Sequence, residues 1–140
     1  MITSDYLEIQ QLTHRYALHI DLFQIEKWVD VFTPDAFFDE REFGFGLYVG
    51  HDAIRAYGQS LADTVQYVTH LMANLVIENL TETSASGIVF ALVEAEMKTG
   101  ERERTHVRYE DDFVKVNGQW KIARKILRKT FSPERMNNAS

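Results

Sequence analysis

Residues 65–80, 84–98, 103–116 and 119–131 form long segments rich in Val, Ile, Phe, Tyr and Thr, separated by TETSASG, TGE and NGQ. β-Branched and aromatic residues suit a pleated, half-buried surface, so these segments read as successive antiparallel strands. Asn117-Gly118 is the strongest hairpin signal in the chain, because both residues tolerate the positive φ that a tight hairpin turn requires. Four strands of this length make one large sheet, and the residues before them have to cover one of its faces.

Those residues read as helices. Ile9, Leu12, Tyr16, Ile20 and Phe23 recur at helical spacing between Tyr6 and Phe23, which predicts an amphipathic first helix. IEKWVDVF puts Ile25, Trp28, Val29 and Phe32 on one side of a short second helix, and TPDA stops it, since Pro34 disfavours helix at Thr33. The aromatic, glycine-bearing run AFFDEREFGFGLYVG predicts a short hairpin, and GHDAIRAYGQSLA a third helix over residues 51–62. Helices first and a strand meander afterwards imply the α+β class, with three N-terminal helices packed on a strongly curved, mostly antiparallel sheet. No linker or repeat divides the 140 residues, so residues 1–132 read as one domain and 133–140 as a loose C-terminal tail.

The net charge of -6 repels phosphate backbones and anionic lipid, and the basic residues of KIARKILRK are diluted among apolar ones, so neither nucleic acid nor membrane is an expected partner. No run approaches the roughly 18 apolar residues of a membrane span, and MITSDYLEIQ lacks the regions of a signal peptide; a cytoplasmic location is expected. With no cysteine, disulfides, iron–sulfur clusters and thiol catalysis are excluded. The five histidines show no HExxH or comparable ligand spacing, so no metal is expected.

Five stretches in order, IQQLTHRYALHID, WVDVFTPDAFFDE, GHDAIRAY, THLMANLVI and YEDDFVKVNGQWKIARKIL, make the chain resemble the SnoaL-like branch of the nuclear transport factor 2-like superfamily over nearly its whole length. The resemblance implies a cone-shaped α+β barrel around a pocket. It leaves the reaction open, since this fold hosts dehydratases, a dehydrochlorinase, isomerases, cyclases, dioxygenase β subunits and non-catalytic binders. The sharpest similarity is to the cofactor-free lyases of the scytalone dehydratase, bile acid 7α-dehydratase and γ-hexachlorocyclohexane dehydrochlorinase group. Their shared device is a histidine base on a strand, oriented by an aspartate at the end of the first helix. In this resemblance it falls on His70 and Asp21, with Ile9, Gln10, Leu12, Asn74 and Leu75 completing the pattern. A tyrosine five residues before the aspartate falls on Tyr16, whereas His106 gives no convincing match to the second histidine of scytalone dehydratase.

Each candidate also has a structural reading. His70 shares a strand face with Val68, Met72 and Asn74, so it is either a core imidazole bonded to backbone or Asn74, or a base held in one tautomer by a carboxylate. Asp21 ends a helix, where the macrodipole disfavours an anion; it either forms a capping box with Gln24 or serves as the partner of His70 that the resemblance implies. Tyr16 lies on the core stripe, and its hydroxyl is a candidate donor to a substrate carbonyl or leaving group. Arg124 shares parity with Trp120, Ile122 and Ile126, and it is read as a substrate-binding cation or as the partner of Asp111. Asp111, in phase with Val107, Tyr109 and Phe113, is expected to point inward, either to pair with Arg124 or to line the pocket, and Asp111 and Asn74 join Arg124 as candidate substrate-binding residues. A rival resemblance, to ketosteroid isomerases, draws on Tyr16, Glu40 and either Asp111 or Asp112, but Glu40 lies in the charge run FFDERE, which reads as a solvated strand end.

The leading expectation is a cofactor-independent lyase of dehydratase or dehydrohalogenase type, taking a proton from a small hydrophobic cyclic substrate with His70 and Asp21. A ketosteroid-isomerase-like or polyketide-cyclase-like enzyme is the alternative, and the isomerase predicts Glu40 facing the pocket. A non-catalytic small-molecule binder predicts His70 beyond reach of Asp21. The resemblance also implies a homo-oligomer assembled through the outer face of the sheet, a trimer in preference to a dimer.

Overall fold

The computed structural model describes residues 2–136; of the expected tail, residues 137–140 lie outside the described residues. In chain order it runs α1 (Ile2–Asp21), α2 (Ile25–Asp30), β1 (Phe32–Asp39), a 3-10 turn (Arg41–Phe43), β2 (Leu47–Val49), α3 (His51–Thr64), β3 (Val65–Glu78), β4 (Ser84–Met97), β5 (Arg102–Val116), β6 (Gln119–Lys129) and β7 (Glu134–Met136).

The stripe of α1 is buried as its spacing demands, at Ile9, Leu12, Tyr16 and Ile20. Phe23 lies beyond the helix at φ 53°, where the chain turns into α2. Phe32, expected on α2, is instead the first residue of β1, and its ring packs edge-on against Trp28, Tyr16 and Phe38. The β1–β2 hairpin forms as expected, pairing Phe37 with Val49 and Asp39 with Leu47. Asn117 and Gly118 take φ 52° and 78°, and the turn sets Val116 opposite Gln119. α3 comes close to Trp28 at Gly58, where an added Cβ would sit 3.0 Å from the indole. No helix among the described residues is long and apolar enough to cross a membrane.

The sheet order is β2-β1-β6-β5-β4-β3, antiparallel except for the parallel β1–β6 pair. This is the mostly antiparallel, curled α+β cone that the sequence predicts. β7 pairs with β5, Arg102 opposite Met136, so residues 134–136 return to the sheet rather than trailing from it. Bulges break the register at two places that decide the site. On β3 the register shifts between Ala73 and Val76, and Asn74 takes φ 57°, a left-handed conformation that asparagine tolerates better than most residues. On β6 the partner of Asp112 is Arg124 and that of Phe113 is Ile122, which leaves Ala123 as the extra residue. An extra residue in a period-2 strand exchanges the two faces beyond it.

Candidate active site

Between the curled sheet and the helices lies a cavity of about 450 Å³, a size typical of small-molecule sites. Its walls are largely apolar, drawn from residues such as Ile20, Phe43, Val68, Val93 and Leu127, and its polar side chains include His70, Glu40, Tyr48, Tyr57 and Tyr109.

His70 reaches the cavity because it precedes the β3 bulge and so shares the inner face with Val68 and Met72. Its ring Nδ1 lies 2.5 Å from Asp21 Oδ1, and its backbone N–H donates to Asp21 Oδ2 at 2.7 Å. Both side chains are well shielded, 11% and 17% exposed. A carboxylate only accepts, so Nδ1 carries the proton and Nε2 the lone pair. The capping-box alternative for Asp21 does not form: Gln24 is the N-cap of α2 without a side-chain cap bond, and its Oε1 meets His19 Nδ1 at 2.9 Å. The two bonds to His70 give the carboxylate the stabilisation that its position at a helix C-terminus requires.

Glu40 departs from its expected place. The run around it splits: Asp39 and Arg41 form an ion pair at 2.9 Å outside, whereas Glu40 is buried and lines the cavity. The split follows from strand alternation at the end of β1, fixed by the Glu40 N–H donating to Gly46 at 2.9 Å across the tight connection. Burial pushes the Glu40 carboxyl up to about 7, with Asp39 adding to the rise and a hydrogen bond from Tyr57 and the charge of Lys125 opposing it. Tyr57 stacks on Tyr48 at 4.1 Å with rings nearly parallel, and the Tyr48 hydroxyl accepts the Gly46 N–H at 3.1 Å.

Tyr16 is buried in the core, hydrogen-bonded to Tyr109, and is not among the residues lining the cavity; Tyr109 is. Burial raises the hydroxyl pKa of both. Asp111 points inward as expected, but its partner is Lys125, at 3.0 Å and fully buried, rather than Arg124. Lys125 Nζ also sits over the rings of Tyr109 at 4.0 Å and Tyr16 at 4.3 Å. Burial drives Asp111 up and Lys125 down, each toward its neutral form, and their contact opposes both shifts.

The bulge at Ala123 explains the exchange. Trp120 and Ile122 face inward before it, Lys125 and Leu127 after it, so Arg124 emerges on the outer face, exposed, with its guanidinium 5.2 Å from the Phe37 ring. Arg124 therefore has no place in the cavity. Asn74 is likewise exposed at its bulge, outside the cavity lining. His106 and Asp112 are exposed on β5, out of phase with the inward Val107, Tyr109, Asp111 and Phe113. Simple parity thus missed Lys125. Among the described residues, no group of three His, Asp or Glu side chains is placed to hold a metal ion.

A model of the SnoaL-like domain matches residues 2–126. The chain belongs to the SnoaL-like domain family. Solved structures superimpose closely on this SnoaL-like chain. A protein from Novosphingobium aromaticivorans assigned as an aromatic ring hydroxylase aligns with a TM-score of 0.92 at 25% identity, covering 96% of this chain and 94% of its own. A second from that organism, assigned as a scytalone dehydratase, gives 0.88 at 22% identity over 99% and 91%. A hexachlorocyclohexane dehydrochlorinase of the second type gives 0.87 at 17% identity over 98% and 92%.

Proposed function

We propose that this SnoaL-like protein is a lyase of the dehydratase or dehydrohalogenase type, with His70 as the base. The observation that carries the reading is the double grip of Asp21 on His70 at the wall of an apolar cavity. Nε2 takes a proton from a carbon next to an activating group, the C–H electron pair becomes the new double bond, and the leaving group departs with its own pair. Asp21 holds the ring in the accepting tautomer and stabilises the imidazolium. The Tyr109 hydroxyl, held by Tyr16, is placed to polarise a substrate carbonyl. The modest volume and apolar walls fit a small hydrophobic cyclic substrate. The fold shared with a dehydratase and a dehydrochlorinase supports the reaction class.

A screen of cyclic hydroxy compounds, halo compounds and enones against wild type, H70A and D21N tests the proposal. Elimination by wild type and loss of about 100-fold or more in both variants is expected; full turnover by H70A refutes it. The position of Glu40 supports a second reading, an isomerase in which Glu40 moves a proton between two carbons. In that case H70A keeps its turnover, E40Q loses it, and the product has the mass of the substrate. The exposed Tyr67, Leu71, Val76 and Phe90 on the outer face support a homo-oligomer, which light scattering on the purified chain would measure.

A further inference from the structure

Elimination moves two things, a proton onto a base and an electron pair onto a leaving group, and the base accounts for the first alone. A halide leaves unaided, whereas a hydroxyl needs a proton as its bond to carbon breaks. His70 and Glu40 come from opposite sides of the sheet. Three strands, β6, β5 and β4, separate β1 from β3, about 19 Å along a flat sheet at about 4.8 Å per step. The curl brings both side chains into one cavity of about 450 Å³.

Glu40 is surrounded by few groups that favour its anion. Tyr57 of α3 hydrogen-bonds to it, and Lys125 of β6, whose charge favours the anion, is committed to Asp111 at 3.0 Å. Asp39 on its own strand adds negative charge, and Tyr48 of β2, Tyr109 of β5 and Tyr16 of α1 are neutral phenols kept so by burial. His70 of β3 shares the cavity, as does Glu103 of β5, which is only partly buried and lies 3.5 Å from the Thr105 hydroxyl. The desolvated Glu40 carboxyl, held up to about 7, is therefore substantially protonated at neutral pH.

Resting on the lyase reading above, we infer that Glu40 is the acid that protonates the leaving group, and that the substrate class is hydroxylated rather than halogenated. In this step Nε2 takes the C–H proton, the C–H pair forms the C=C bond, and the C–O pair leaves with oxygen as that oxygen takes the Glu40 proton. The products are the alkene, water, an imidazolium and a carboxylate; return of one proton from His70 to Glu40 through water resets the site.

The test compares 3-hydroxycyclohexanone and 3-acetoxycyclohexanone, which give the same enone but differ in their need for an acid. E40Q, which retains the size of the side chain, is expected to lower turnover of the hydroxy probe by about 100-fold or more, and by at least about 20 times more than that of the acetoxy probe. H70A lowers both. Equal loss on the two probes, or none, in E40Q overturns the acid role and leaves His70 standing; retention of both by H70A sinks the lyase reading itself. A second measurement needs no substrate. In protein carrying ¹³C-labelled glutamate, the carboxyl resonance that disappears in E40Q is expected to titrate near 7, and titration near the ordinary 4.5 overturns the inference.

Discussion

Replacing Asp21 by asparagine exchanges one carboxylate oxygen for an NH2 group, in a position where both oxygens accept hydrogen bonds. The carboxylate receives two donors, the His70 backbone N–H at 2.7 Å and the ring Nδ1–H at 2.5 Å. An amide offers one accepting oxygen and one donating NH2. The backbone N–H has no alternative role, so the amide oxygen stays with it and the NH2 faces the ring. Only the ring is able to adapt, by moving its proton from Nδ1 to Nε2. D21N therefore folds with the same contacts but removes the lone pair from the nitrogen proposed as the base. Exchanging a charge-assisted bond for neutral ones costs about 1–2 kcal/mol, which for a chain of this size lowers Tm by about 3–8 °C. Turnover is expected to fall by about 10²- to 10⁴-fold, the usual weight of a positioned base and of its tautomer. Calorimetry reads the first effect and ¹⁵N NMR of the imidazole at pH 8 the tautomer. A D21N protein whose Nε2 remains the acceptor, or whose turnover stays within tenfold of wild type, refutes the reasoning.

Glu40 contributes a pH-dependent stability of unusual sign for a carboxylate. Its folded pKa is raised from 4.5 to about 7, so its contribution is full below 4.5 and is lost as pH rises through 7, about 3 kcal/mol at the most. Urea midpoints at pH 5 and pH 8 should show this loss in wild type and not in E40Q; identical pH dependence in the two proteins disproves it. K125M strands a buried Asp111 carboxylate and should cost about 3–5 kcal/mol, most of it recovered in the double variant K125M/D111L. A K125M penalty below about 1 kcal/mol in urea unfolding contradicts an ionised pair. At the β3 bulge, N74G should be near neutral and N74A should cost about 1 kcal/mol, because φ 57° is left-handed; equal stability of the two would mean that the bulge relaxes.

Legibility differs from residue to residue for physical reasons. The α1 stripe, the four strands and the Asn117-Gly118 turn were readable because each rests on a local rule, helical period, strand composition or turn conformation, that tertiary context did not override. The contact between Asp21 and His70, 49 residues apart, has no local signature and came from the resemblance alone. Parity served well up to the bulges and failed beyond them. Counting by twos from Trp120 places Arg124 inside, yet one extra residue at Ala123 puts Lys125 there instead. Alanine carries no mark of a bulge, and at Asn74 the asparagine alone hinted at one. Glu40 was misread for a related reason: composition treats FFDERE as one solvated run, whereas a strand end alternates, so Asp39 pairs outside with Arg41 while the residue between them is carried inward. A charge run at the end of a strand is thus the place where an internal acid is hardest to see. In this chain that place holds the carboxyl on which, in the proposed mechanism, the choice between a hydroxyl and a halide leaving group turns.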